Sequence, residues 1–414
     1  MGGFVITPGP AAYFGVGAIE KLPAIVRATG AHHVVVITDE ALAAGPIVAT
    51  VTDILLDAGL PSHVFDGVHP DPTTADLAAG AAAVATAAAA ANAAEAAAAV
   101  AATLKASPSA PAAPSLAGRV VLVAVGGGSP IDAAKGIALA AVNPQRGRDL
   151  DCRGEFAVPG LPIVAVPTTA GPGAETSSSG AVTDEATHER FYTGDASTRP
   201  AAAVLDPALT VGLSPAATAA TGMDALTHAL ESYLSLRPNP WSDGLALQAV
   251  RMIAADLPRA VRDGTDLDAR SQLLLAAHLA GAAMASAGLG VCHAIGHSLG
   301  GRWNITHGVA LSMLLPGVLR FNLPVRTRRL ADLAFALGAG DSHSSEDRNA
   351  AAAVDAVAAL RDGLGLTAVL ADFGITEADY AQIAADALAD EVLRTTPRPP
   401  VRADIDGLLS GRVS

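Results

Sequence analysis

Eleven histidines are spread over the 414 residues, yet His228, His293, His297 and His307 fall in one weakly charged, helix-like region. Asp224 and His228 are four apart, and so are His293 and His297. Residues four apart on a helix project from the same face, so each pair offers two ligand atoms together. Several imidazole nitrogens with one carboxylate suit Zn2+ or Fe2+. A metal held that way with one position open acts as a Lewis acid on a substrate oxygen. One histidine on an apolar helix is ordinarily a packed core residue, but two pairs at ligand spacing point to coordination. Spacing alone does not choose which imidazoles are the ligands. Glu231, three residues after His228, either orients that ring or occupies a solvated helix position. Cys292, beside His293, reads as a small buried hydrophobe.

A second signal is Gly126-Gly127-Gly128-Ser129-Pro130-Ile131-Asp132-Ala133-Ala134-Lys135, between a strand-like run and a helix-like one. Glycines let a backbone approach a pyrophosphate, and a helix N-terminus supplies N–H donors and a positive dipole end. The spacing is neither G-x-G-x-x-G nor that of a Walker A loop. Thr168-Thr169-Ala170-Gly171 follows another strand-like run, and its hydroxyls suit phosphate or ribose as well as a local cap. Asp39 ends a third such run. A carboxylate there accepts ribose hydroxyls and repels a 2′-phosphate, or caps the next helix. No Gly-x-Ser-x-Gly elbow or Cys/His dyad with persuasive context supports covalent hydrolysis.

The elements that must position these groups change character part-way along the chain. His33–Thr38, Val120–Val125 and Leu161–Val166 are short apolar runs separated by helical stretches, the pattern of a parallel sheet covered on both faces. From Ser214 onward strand-like runs nearly vanish. Ser214-Pro215 opens a helix with a capping hydroxyl and a first-turn proline. Further helices are predicted at Trp241–Leu257, Ala269–Ser286, Arg326–Leu337, Ala350–Leu364 and Glu377–Leu388. The expected organisation is an α/β domain over residues 1–209 and an all-α domain over 210–414, with a hinge near 206–214. An alanine-rich insert at about 75–117 reads as a long helix ended by the tract Ser107–Ser115, a mobile surface linker rather than a site.

Composition limits the function. With 26 basic and 40 acidic residues the formal net charge is −14, a field that repels nucleic-acid phosphates and anionic lipid. Apolar residues make up 51% and charged residues 16%, enough for large cores and poor for disorder. Two cysteines build neither a disulfide framework nor a Cys-rich zinc module. The opening residues have neither a basic n-region nor a long apolar one. The weakly polar stretches Leu77–Ala94 and Leu273–Cys292 are alanine-rich, and aromatics total 3%. Buried helices explain them better than membrane spans. A cytoplasmic protein without nucleic-acid or membrane partners is expected.

Taken together the motifs resemble those of the iron-containing (group III) alcohol dehydrogenases, within the dehydroquinate synthase-like superfamily. Phe14-Gly15-Val16-Gly17 is similar to that family's opening. Gly126–Lys135, Pro167–Gly171, Gly222-Met223-Asp224-Ala225-Leu226-Thr227-His228-Ala229 and His293–Gly308 are similar to its four main motifs. The resemblance implies a Rossmann-like N-terminal α/β domain with a parallel sheet, followed by an all-α metal-binding domain. It assigns Asp224, His228, His293 and His307 as metal ligands, and places His297 beside the nicotinamide to help move a proton. Gly127, Gly128 and Ser129 would hold the pyrophosphate, with Asp132, Thr168 and Thr169 nearby and Asp39 favouring NAD. Arg190-Phe191 stands where relatives carry a Lys-Met pair, which makes Arg190 a cofactor contact with its charge retained. Arg302 replaces an apolar residue and either meets an acidic substrate or faces solvent, the second being the expectation. The implied activity is hydride transfer between NAD(H) and a small alcohol or aldehyde, with one divalent metal, iron ahead of zinc, in a homodimer or higher homo-oligomer. The alternatives are a metal-free maleylacetate-type reductase, against which Asp224 argues, and a dehydroquinate synthase-like lyase, disfavoured by few basic residues. A non-catalytic nucleotide binder is a third.

Overall fold

The protein is described by a computed structural model covering residues 6, 9–103, 119–187 and 189–412. The chain divides into two units. A sheet unit holds Pro10–Thr168 and Ala174–Asp206, and a helical unit holds Met1–Gly9, Thr169–Gly173 and Pro207–Ser414. The division after Asp206 lies three residues before the one expected from sequence. Thr169–Gly173 also groups with the helical unit rather than with the strand it follows. Small residues allow this: Gly171 lies against Thr221, and Gly173 against Gly281.

In the sheet unit the strands are β1 (Ala11–Phe14), β2 (His33–Ile37), β3 (Ser62–Phe65), β4 (Val120–Gly126), β5 (Ile163–Pro167), β6 (Gly180–Thr183), β7 (Arg190–Thr193) and β8 (Ala202–Leu205). Six of them form a parallel sheet in the order β1-β8-β5-β4-β2-β3, and β6 and β7 form a separate antiparallel pair. Every residue of β4 and β5 is buried, as a sheet covered on both faces requires. The helices here are α1 (Leu22–Ala28), α2 (Glu40–Ala43), α3 (Pro46–Asp57), α4 (Thr74–Thr103) and α5 (Gly128–Ala140).

The strand order reverses between β2 and β4: β3 lies outside β2, while β5 lies on the far side of β4. Open α/β sheets take ligands at such a switch point, beyond the carboxyl ends of the strands. Ile37 pairs with Ala124 and Gly126 with Pro167. Asp39, Gly127 and Thr168 therefore all emerge at that end of the sheet.

The expected insert is partly core. Leu77, Ala81, Val84, Ala88 and Ala91 are buried, at helical spacing, and α4 packs on α5 and β2 as the crossover between β3 and β4. Alanine hid this face from a pattern reading because it is apolar on every side. The Ser107–Ser115 tract lies outside the described residues.

The helical unit runs α6 (Pro215–Leu234), α7 (Pro240–Arg262), α8 (Leu267–Ala287), α9 (Val291–Trp303), α10 (His307–Ala336), α11 (Glu346–Gly363), α12 (Tyr380–Ala389) and α13 (Arg402–Leu409). Ser214 caps α6 through the Ala217 N–H, with Pro215 in the first turn. An angle of 107° between α8 and α9 turns the histidine-bearing helix away from its predecessor. Helix α10 is broken at Arg326, whose φ/ψ is −135°/23°. Arg326 donates to the carbonyls of Leu234 and Ser235, and Arg329 to that of Tyr233. They satisfy the free carbonyls at the end of α6. By length and composition, Thr74–Ala91 of α4 and the whole of α10 are long and apolar enough to cross a membrane. In this fold α10 packs on α6 and α11.

Candidate functional site

Within the helical unit α6 presents Asp224 and His228, α9 presents His293 and His297, and α10 presents His307 in its first turn. Asp224 Oδ1 is the meeting point. The Nε2 atoms of His228, His293 and His307 lie 3.5, 3.8 and 3.8 Å from it. Ligand atoms of Asp224, His228 and His293 all lie within 4.8 Å of one another. Asp224 Oδ1 and His293 Nε2 are buried and make no hydrogen bond. Buried polar atoms left in that state are costly unless something else satisfies them. Asp224, His228 and His293 could hold a metal ion, with His307 Nε2 near the same carboxylate oxygen; imidazole nitrogens beside a carboxylate oxygen suit a divalent metal.

Close approach of two helices makes this possible. A Cβ on Gly308 would stand 2.0 Å from the Ala220 carbonyl oxygen, so only glycine lets the first turn of α10 reach α6 and bring in His307.

The electrostatics of the cluster are set by burial and by its two carboxylates. Burial alone would raise the Asp224 carboxyl, but His228, His293 and His307 outweigh it and hold the group well below the usual carboxylate range. Burial pushes His228 down to about 4 despite Asp224. Burial also acts downward on His293, yet Asp224 and Glu231 overcome it and hold this ring at about 9. Burial and nearby Glu231 raise the Cys292 thiol. Its Sγ approaches the Leu311 carbonyl at 3.6 Å, so it is a packed thiol.

Glu231 is not solvated, and its hydrogen bonds go to His293 and the start of α9 rather than to His228. It is buried and accepts from His293 Nδ1 at 2.6 Å and from the Gly290 and Cys292 amides at 3.0 and 2.8 Å. That bond turns His293 Nε2 toward Asp224. His297 is held on its other side: its Nδ1 lies 2.6 Å from Asp390 Oδ2. Asp390 went unnoticed in the sequence, although it stands four residues after Asp386 at the end of a predicted helix. Arg302 is exposed, as expected, and also pairs with Asp386.

In the sheet unit the glycine-rich loop joins β4 to α5. Gly126 has φ +150°, and a Cβ there would meet Pro130 at 2.5 Å. Gly127 occupies the N-cap position without a side-chain cap, Gly128 and Ser129 begin the helix, and all three are half-buried. Their amides are thus left for an anionic ligand. Asp39 Oδ1 accepts from the Leu42 N–H, the capping alternative. Asp132 is committed to structure: Oδ1 pairs with the buried Lys135, and Oδ2 accepts from the Ala181 amide. Lys135 also donates to the Ala174 and Ser179 carbonyls and to Ser177 Oγ. Thr168 is buried and its amide donates to the Gly126 carbonyl. Thr169 belongs to the helical unit. Arg190, on β7, pairs with Asp71 at 3.3 Å.

The sequence matches the iron-containing alcohol dehydrogenase profile over residues 9–94 and 115–207, and the C-terminal profile of the Fe-containing alcohol dehydrogenase family over 218–413. The chain belongs to the iron-containing alcohol dehydrogenase family. Among curated relatives it is 43% identical over 284 residues to the probable alcohol dehydrogenase EutG of Salmonella typhimurium, covering 69% of this chain and 70% of that one. It is 32% identical over 396 residues to the NAD-dependent methanol dehydrogenase of Bacillus methanolicus, covering 96% of each. A solved structure of 1,3-propanediol oxidoreductase superposes with a TM-score of 0.87 at 32% identity, covering 99% of this chain and all of the other. This iron-type dehydrogenase departs from its family profile over residues 95–114 alone within the stretch 9–207, a shorter insert than the 75–117 read from composition. The profile match through residue 94 agrees with the burial of α4 as far as Ala91.

Proposed function

We propose that this oxidoreductase interconverts small alcohols and aldehydes using NAD(H) and one divalent metal, iron in preference to zinc. The observation that carries the reading is the convergence of three histidine Nε2 atoms on the buried, unbonded Asp224 Oδ1. When bound, the metal supplies a Lewis acid for the substrate oxygen, and the nicotinamide cofactor donates or accepts the hydride. Asp224, His228, His293 and His307 would hold the metal, with His228 kept neutral by burial and His293 aimed by Glu231. The amides of Gly127, Gly128 and Ser129 would bind pyrophosphate at the N-terminus of α5. Asp39 has Oδ2 left for a ribose hydroxyl beside its capping bond, which favours NAD over NADP. With Nδ1 committed to Asp390, His297 would give and take its proton at Nε2. The names of the methanol dehydrogenase and propanediol oxidoreductase relatives support NAD and small alcohols. The same reading has a cytoplasmic homodimer or higher homo-oligomer that engages neither nucleic acid nor membrane, and light scattering checks the assembly.

Metal content by mass spectrometry after anaerobic purification, with Asp224→Ala in parallel, tests the reading. About one Fe or Zn per wild-type chain, absent from the variant, is expected, together with NADH formation from small primary alcohols. Wild-type protein that turns over without stoichiometric metal would overturn it in favour of a metal-free reductase.

A further inference from the structure

We propose that Asp390 is a positioning residue that fixes the tautomer of His297, holding Nδ1 protonated and leaving Nε2 to exchange the proton of the reaction. The inference rests on the reading of His297 as the proton carrier. Asp390 Oδ2 stands 2.6 Å from His297 Nδ1, and the two side chains are 15% and 10% exposed. An ionised carboxylate accepts only, so Nδ1 must donate, and in a neutral ring the lone pair then lies on Nε2.

Asp390 is itself held rigidly. Its Oδ1 caps the short turn Glu391–Thr395 by accepting from the Val392 amide at 3.0 Å. That turn is tied down at its far end. Thr395 Oγ1 donates to the Leu289 carbonyl at 2.6 Å, and the Thr395 carbonyl accepts from the Leu236 amide at 2.9 Å. The carboxylate therefore sits in a frame fixed to the segment just before α9 and to the end of α6.

A plain docking role for Asp390 is already filled by its neighbour. Asp386, one turn earlier on α12, accepts from Ser298 Oγ and pairs with Arg302, both on α9. The helix is thus anchored to α9 by one acid, and the second is directed at the imidazole.

The test compares Asp390→Asn, Asp390→Ala, His297→Ala and the Asp390→Ala/His297→Ala double variant. Each is loaded with metal and assayed with NAD and a small alcohol, and each is labelled with 15N-histidine for ring-nitrogen NMR without metal. We expect Asp390→Ala to lower kcat about tenfold or more, short of the roughly 100- to 10,000-fold that a general acid–base group itself contributes, with KM and metal content unchanged. In the His297→Ala background the same change should have no further effect on kcat. Wild-type His297 should show a protonated Nδ1, and Asp390→Asn, which folds in the same shape, should redistribute that proton toward Nε2. Full additivity in the double variant, or an unaltered His297 tautomer in both Asp390 variants, would overturn the proposal. Wild-type turnover by His297→Ala would instead remove the proton-carrier reading, while the NMR result alone would still decide whether Asp390 sets the tautomer.

Discussion

Glu231 determines how His293 is presented. It takes one bond from the ring and two from the backbone at the start of α9. Glu231→Gln keeps the shape while weakening the acceptor, and should loosen metal binding about 10- to 100-fold with little change in the folded state; chelator competition measures it. The protonation pattern leads to a second expectation. In metal-stripped protein His228 is neutral at pH 7, whereas His293, held at about 9, carries a proton. A metal held by His293 as proposed would have to displace that proton, so affinity should climb as pH rises toward about 9 and level off above it. Stability of the stripped protein should move the opposite way. A raised folded-state value contributes stability that is complete below the ordinary histidine value of 6.5 and is lost as pH rises from 6.5 through about 9. Calorimetry in buffers of different ionisation enthalpy, and melting curves across pH 6–9, report the two trends. The pairs Asp224/His228 and His293/His297 were readable because helical spacing is local. The bond from Glu231 to His293 was not, since it spans 62 positions of sequence and depends on the bend between α8 and α9.

At the scale of elements, helix ends and close approaches decide where Asp224, His228, His293 and His307 stand. Gly308→Ala would push a methyl group onto the Ala220 carbonyl. The expected result is a loss of about 1–3 kcal/mol of stability and a larger proportional loss of metal affinity, because His307 shifts with its turn; denaturation and metal titration on one preparation separate the two. The strands visible in sequence were β2, β4 and β5, rich in β-branched residues and buried throughout or nearly so. Missed were β1 and β8, where alanine carries little strand signal, and β3, β6 and β7, each only four residues long. Helix α10 was foreseen only after its break, from Arg326. Before the break, helical spacing was obscured by Pro316 and Pro324 inside the helix.

Over the whole molecule, two halves of different texture were legible because parallel sheets and helical layers bury apolar residues with different periods. The alanine-rich insert was misjudged at its start, where Leu77 and Val84 are buried in the sheet unit's core. Leu77→Ala should therefore cost about 2–5 kcal/mol in urea denaturation.

The two contacts between α6 and α10 have one more effect. Gly308 meets α6 at Ala220, and Arg326 and Arg329 hold its end at residues 233–235. The turn that carries Asp224 and His228 lies between these fastenings, in a span of about 20 Å at 1.5 Å per residue. Like a beam fixed at both ends, such a span resists local opening. The backbone amides of residues 224–228 should be among the slowest in the helical unit to exchange with deuterium, even after the metal has been stripped. Arg326→Ala or Arg329→Ala should speed that exchange without touching a ligand.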